Sequence, residues 1–244
     1  MKILLIAGHG GMDNGACAFG RREADLAREL VPKIKNALHN YACEVDIYDP
    51  SRSAYHDLIA LGYTYPFKKY QYVLEVHFNA YRLDRGNGKT TGTEIYVTPT
   101  ERITTAEQAI VRRIAALGLK NRGVKREKLA VILRAKAQGV SAALLEVCFM
   151  DDADDMKIYT AKKQQIAQAV ADGIAEGYQL KKKEESTMAG FKDTTGHWAQ
   201  AQIEQLAKLG ILGGYPDGTF KPDAPITRAE VAAIIARMMA AKKK

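Results

Sequence analysis

Cysteine is nearly missing from this chain, with three among 244 residues at Cys17, Cys43 and Cys148. They show no CxxC spacing and cannot all pair internally, which argues against a disulfide framework and for a reducing compartment. Cys148 reads as a small buried filler. Long apolar runs are missing too: no stretch approaches the roughly 20 residues that span a bilayer. The opening Met1-Lys2-Ile3-Leu4-Leu5-Ile6-Ala7 is too short for a signal peptide. It runs into Gly8-His9-Gly10-Gly11 without a small-residue cleavage site, so synthesis in the cytoplasm without a secretion address is expected. There is a single tryptophan, and no aromatic residues interleave the densest basic region, Arg112, Arg113, Lys120, Arg122, Lys125, Arg126 and Lys128. A nucleic-acid partner is therefore not expected; the basic region reads as a solvated face or as an attraction for another polyanion.

What is present is an ordinary globular composition, 47% hydrophobic and 26% charged, with a net charge of +8. Residues 1–180 alternate two patterns. Strand candidates are Ile3–Ala7, Glu44–Tyr48, Tyr72–Phe78, Thr93–Thr98, Leu129–Leu133 and Ala143–Phe149. Helical periodicity covers Glu23–Leu38, Ile103–Leu117 and Lys162–Tyr178, and Thr104 with Glu107 offers the second of these a capping box. The expected class is α/β, a sheet flanked by helices. Residues 181–189, charged and without a patterned apolar face, read as a linker. Residues 190–244 follow another rhythm, helix, glycine-rich turn, helix, with Trp198–Leu209 as the first helix. Thr227 and Glu230 cap the second. This is a small all-α module with a meagre core.

Four residues stand at the edges of these elements: His9, Glu23, His77 and Glu146. Strand ends of an open α/β sheet converge on one crevice. Two histidines and one carboxylate can hold a zinc ion with a position left for water, and a second carboxylate can take that water's proton. Glu75 is the rival, because it lies two residues before His77 and shares its strand face. No serine or cysteine nucleophile is needed, and Cys17 and Cys148 lack a Cys-His-Asn context. His39 and His56 read as surface or packing residues.

The segments around this quartet resemble the zinc-dependent N-acetylmuramoyl-L-alanine amidases of bacterial and phage cell-wall lysis. The resemblance runs through Gly8-His9-Gly10-Gly11, Glu23-Ala24-Asp25-Leu26, Glu75-Val76-His77-Phe78-Asn79-Ala80, Gly92-Thr93-Glu94-Ile95-Tyr96 and Leu145-Glu146-Val147-Cys148-Phe149. It implies one zinc ion on His9, Glu23 and His77, with Glu146 as the catalytic carboxylate. Glu75, Asn79 and Glu94 become substrate-facing or supporting groups, and the implied substrate is peptidoglycan, cut between N-acetylmuramic acid and L-alanine. Ala7 stands in place of a common proline, and Asp151-Asp152 replace a more usual Ser-Asn.

Residues 190–240 resemble one repeat of the surface-layer homology (SLH) module, through Phe191-Lys192-Asp193, His197-Trp198-Ala199, Asp217-Gly218-Thr219-Phe220-Lys221-Pro222 and Ile226-Thr227-Arg228-Ala229-Glu230. The resemblance implies binding of a secondary cell-wall polysaccharide, with Arg228, Trp198 and Asp193 as the expected contacts. Arg228 is the natural partner of an acidic sugar, since its guanidinium fork pairs with a carboxylate. The combined expectation is a phage endolysin acting on the wall after release from the cytoplasm. A host cell-separation amidase is the alternative, and a non-catalytic wall-binding protein the more distant one. SLH repeats usually come in threes, so the lone repeat here either works alone, against which its small core argues, or assembles with other copies by self-association. Met188, preceded by Lys183-Glu184-Glu185, could be a second translation start that supplies free 188–244 modules to one full-length chain.

Overall fold

The computed structural model describes residues 1–81, 90–183, 190–215 and 217–241, and Met188 lies outside the described residues. The chain divides into two compact units, Met1–Lys182 and Lys183–Lys244.

The first unit opens with β1 (Lys2–Ala7), the short hairpin β2 (Cys17–Ala18) and β3 (Arg21–Arg22), then α1 (Glu23–Leu38) and β4 (Glu44–Ile47). Two short helical turns precede β5 (Tyr72–Asn79). Next come β6 (Thr93–Val97), α2 (Thr105–Ala115), β7 (Asn121–Arg126), α3 (Ala130–Ala137), β8 (Ser141–Phe149) and α4 (Ala153–Gly177). Six strands form one sheet in the order β4-β1-β5-β8-β6-β7. The first four are parallel; β6 runs antiparallel to β8 and parallel to β7. The expected sheet flanked by helices is present.

The period-2 alternation of each strand sorts its side chains between two cores. Ile3 and Leu5, Tyr72, Leu74 and Val76, and Leu145 and Val147 face the larger cluster, where α1, α2 and α4 cover the sheet. Leu4 and Ile6, Val73, and Ala142 and Leu144 face a smaller cluster built with Val131, Ile132 and Ala135 of α3. Glu75, His77 and Glu146 continue the alternation of this second face, beyond the residues that fill its core. The apolar covering ends where the chemistry begins.

Two local expectations are corrected. Leu129–Leu133 is not a strand; Leu129 is the N-cap of α3 and Ala130–Leu133 form its first turn, because a short apolar run has no period of its own and Ala135 extends its buried face by one helical turn. The strand lies at Asn121–Arg126 instead, a polar edge strand whose charges protect an open edge. Thr104 makes no side-chain cap to α2; Glu107 is buried and accepts from the Tyr72 hydroxyl at 2.9 Å. Asp152, by contrast, caps α4 by accepting from Asp155 N at 2.8 Å. Asp155 itself is buried and accepts from Phe149 N and Gly92 N at 2.9 Å each, and from the Thr91 hydroxyl. One carboxylate thereby ties the end of β8 to the start of β6.

In the second unit α5 (Gln200–Lys208) and α6 (Arg228–Ala241) flank the glycine-rich turn. Thr227 and Glu230 form the expected box: Thr227 N donates to Glu230 at 2.8 Å and Glu230 N to the Thr227 hydroxyl at 3.2 Å. The buried core is small, Phe191, Ile203 and Ala207. No helix among the described residues is long and apolar enough to cross a membrane.

α2 and α4 pack at glycine distance. A Cβ on Gly173 would stand 2.6–2.8 Å from Ile110 Cγ1, N and Cα. Alanine is normally the better helix former by about 1 kcal/mol, but here the clash involves backbone. Gly173→Ala is expected to destabilise the fold by about 1–3 kcal/mol, read as a lower midpoint in denaturant unfolding. An unchanged or raised midpoint would show that the helices can separate freely.

Candidate active site

β1 ends at Ala7, and Gly8 N still donates to Val76 O at 2.9 Å, so the chain leaves the sheet only at His9. His9 has a φ of 59°, a left-handed conformation uncommon for a residue with a side chain. Arg28 of α1 holds it there. Its guanidinium donates to five carbonyls: Gly8 O at 3.0 Å, His9 O at 2.8 Å, Ala24 O at 2.9 Å, Pro50 O at 2.7 Å and Arg52 O at 3.1 Å. The imidazole is then oriented from both sides, Nδ1 at 2.8 Å from Asp13 and Nε2 at 3.0 Å from Glu23.

Glu23 is the first residue of α1, where a negative charge is favoured by the helix dipole. It is buried and fully engaged. Oε2 accepts from Ala16 N at 3.0 Å; Oε1 accepts from Phe78 N at 3.1 Å and lies 2.9 Å from His77 Nδ1. Burial opposes its ionisation, but His77 and His9 outweigh that and hold the carboxyl far below the usual range. His77 comes from β5, next to a register shift between His77 and Asn79. Burial lowers its basicity, while Glu23 and Glu75 raise it well above the ordinary value. Its Nε2 lies 3.3 Å from Glu75 Oε1 without hydrogen-bond geometry and has no other partner among the described residues.

One ligand atom from each of His9, Glu23 and His77 lies within 4.8 Å of the others, and the two imidazole centroids are 4.9 Å apart. Two imidazoles and one carboxylate are a donor set that suits zinc. Gly15 keeps the space clear: a Cβ there would meet His9 Cδ2 at 2.6 Å and Glu23 Oε2 at 2.7 Å. These residues fit a bound metal ion.

Glu146 sits opposite His77 in the β5–β8 register and opposite Glu94 in the β8–β6 register. Its Oε2 is buried with no hydrogen-bond partner among the described residues. Burial, opposed by His77 and reinforced by the charges of Glu23, Glu94 and Glu75, pushes its pKa up to about 7. Such a group both accepts and releases a proton near neutrality. Asn79 donates to Glu94 Oε1 at 2.8 Å, and Tyr96 to the same oxygen at 3.0 Å. Glu94 Oε2 accepts from Arg122 Nε at 2.6 Å and from Lys125. Burial disfavours the Glu94 charge, but Lys125, Arg122 and Tyr96 hold its pKa below the usual range.

The basic region of the sequence is not one patch. Arg112 and Arg113 pair with Glu176, Arg122 and Lys125 with Glu94, and Arg126 donates to backbone carbonyls. Sequence reasoning missed Asp13 and Arg28, which carry no motif. It also missed the pairing of Arg122 and Lys125, whose signal was Gly123 between them, a glycine within a strand that marks a bulge. Cys148 is buried in the larger core as a filler.

In the second unit, Asp193 is committed to the backbone, accepting from Phe220 N at 2.8 Å and Lys221 N at 2.7 Å. Trp198 is 85% exposed and so is free of the core. Arg228 begins α6. A separate cavity of about 490 Å³ is lined by Tyr215, Phe220, Lys221, Ile226, Glu230 and Arg237, among others.

With this geometry in view, the comparisons with known proteins agree. The profile of the N-acetylmuramoyl-L-alanine amidases matches residues 3–176, and that of the S-layer homology domain residues 190–232. The endolysin of Bacillus phage SPP1 is 32% identical over 225 residues, 88% of this chain and 78% of that protein. Cell surface glycoprotein 1 of Acetivibrio thermocellus is 55% identical over 49 residues, 20% of this chain and 2% of that much longer protein. The catalytic domain of the amidase CwlV from Bacillus (Paenibacillus) polymyxa shares the fold. Its TM-score is 0.59 at 23% identity, over 74% of this chain and 100% of that domain. By its sheet, its site and these likenesses, the chain belongs to the N-acetylmuramoyl-L-alanine amidase family and carries an S-layer homology domain behind its catalytic unit.

Proposed function

We propose that this protein is a zinc-dependent peptidoglycan amidase of the endolysin type, cutting the bond between N-acetylmuramic acid and L-alanine. The observation that carries the reading is the half-buried triad of His9, Glu23 and His77 with, on the neighbouring strand, a carboxylate oxygen of Glu146 that has no partner among the described residues. His9, Glu23 and His77 would hold the ion, which when bound supplies Lewis acidity to the scissile carbonyl and acidifies the attacking water. Asp13 and Glu23 orient the His9 ring, and Arg28 fixes the backbone beneath it. Glu146 takes the proton from water at its unpaired oxygen and returns it to the leaving nitrogen. Its raised pKa suits both halves of that exchange.

The C-terminal module would bring the enzyme to a secondary wall polysaccharide, with Arg228 pairing an acidic sugar and exposed Trp198 stacking on a sugar face. Asp193 would contribute by shaping the turn at Phe220 and Lys221 rather than by direct charge pairing. Self-association completes the reading. Val231, Ile235 and Met238 recur at helical spacing along α6 and are all exposed, on a module with few buried residues of its own. A free 188–244 module from an internal start at Met188 is one source of partners. Denaturing mass spectrometry of untagged protein, repeated with Met188→Leu, tests that source; a full-length chain alone in both samples rules it out.

Metal and turnover should separate by residue. His77→Ala is expected to lose bound zinc and wall-clearing activity together. Glu146→Gln should keep near-stoichiometric zinc by elemental analysis while kcat falls by about 10²–10⁴-fold. Chelation should stop amide release, and added zinc should restore it. Glu146→Gln with near-normal turnover would sink the assignment of the base.

Wall targeting should separate from chemistry. Arg228→Ala is expected to weaken sedimentation with purified walls by about tenfold, the worth of one charge-assisted contact, with soluble muropeptides still cleaved. Equal binding by both proteins would remove Arg228 from the site.

A further inference from the structure

A cavity of about 410 Å³ lies beside the hydrolytic residues, and the reaction described above makes no use of it. Asn79, Tyr81, Glu94, Tyr96, Arg122 and Lys125 are among its lining residues. We propose that Arg122 and Lys125 form an anion subsite that takes a free carboxylate of the stem peptide, on the second or third residue from the scissile amide. The proposal rests on the amidase reading of the site.

Strand register supplies the first argument. His77 on β5, Glu146 on β8 and Glu94 on β6 are successive partners across the sheet, and Arg122 of β7 reaches Glu94 from the next strand. The register shift between Thr93 and Ile95, at Gly123, brings Arg122 and Lys125, three apart in sequence, onto the same carboxylate. A substrate cut beside Glu146 and extended along this row passes over the two cations. From β8 to β7 is two strand spacings, about 10 Å, or roughly three residues of extended chain.

Charge supplies the second. Glu94 is 1% exposed, and its two oxygens are already taken by four donors, Asn79, Tyr96, Arg122 and Lys125. It can neutralise one cation, not two. The cluster therefore keeps a net positive charge, and both cationic side chains stay partly open, 26% for Arg122 and 38% for Lys125. Among the described residues the Lys125 ammonium has no hydrogen-bond partner besides Glu94. An ordinary solvated surface pair needs no buried carboxylate beneath it. Here Glu94 works as an anchor that aims two cations at a cavity.

Rigidity supplies the third. The Arg122 guanidinium lies over the Phe149 ring at 4.9 Å and the Lys125 ammonium over the Tyr96 ring at 5.6 Å. Both are held before any ligand arrives, which lowers the ordering cost of binding.

The test uses soluble N-acetylmuramoyl tripeptides that differ in one group, a carboxylate or a carboxamide at the second residue, or the same change at the third. The full-length zinc-loaded protein should show a kcat/KM about tenfold higher for the carboxylate at one of these positions, the worth of one hydrogen-bonded charge. Lys125→Gln, which leaves Arg122 to neutralise Glu94 and so preserves the fold, should shrink that ratio towards one. Arg122→Lys, which keeps the charge but loses the fork, should retain part of it. Cleavage of all substrates at equal kcat/KM by the unmodified enzyme overturns the subsite while leaving the amidase reading intact. So does a ratio that survives in a folded Lys125→Gln/Arg122→Gln protein. If no muramoyl peptide is cleaved at all, the amidase reading itself fails and takes the subsite with it.

Discussion

The Glu23 carboxylate is the interaction on which the rest of the site depends. It begins a helix on one side of the sheet and accepts a backbone N–H from the strand end of β5, so it locks the two layers in register. It also touches both imidazoles, at 3.0 Å for His9 and 2.9 Å for His77. A buried carboxylate is costly unless fully paired. Here the pairing comes from groups that must converge for a metal to be held. Folding cost and chemical purpose are met by the same contacts.

The sheet explains why the site can be open at all. Its larger face is sealed by three helices, whereas its second face is covered by α3 and short turns near the strand beginnings. Residues that continue the second face past that covering meet one another across the register, and they are the polar ones, Glu75, His77, Glu146 and Glu94. Glu146 Oε2 is buried without a hydrogen-bond partner among the described residues, and that is tolerated because its raised pKa leaves the carboxyl protonated in part near neutrality.

Much of this was legible in the sequence. The α1 boundaries follow from the spacing of Leu26, Leu30, Ile34 and Leu38, and His9 and His77 stand where apolar runs stop. What was not legible has physical reasons. Leu129–Leu133 is apolar without period, so only its packing decides between strand and helix. Asn121–Arg126 forms a strand because it borders the sheet, not because its residues favour one. Arg28 acts through carbonyl groups, which every residue possesses, so nothing in the composition of its five acceptors announces it. The role of Glu94 depends on a bulge that brings Arg122 and Lys125 together, and a period-2 reading places them on opposite faces.

The polarity reversal between β8 and β6 has an evolutionary consequence. Because β6 and β7 run against the other four strands, their first residues arrive at the edge where β1, β5 and β8 present their last ones. The histidines and Glu146 hang from one set of crossovers, and Glu94 with its cations from another joined through α2. Variation in the β6–β7 pair alters the cations at one end of the crevice, and Asn79 and Asp155 are the contacts through which such changes reach the other.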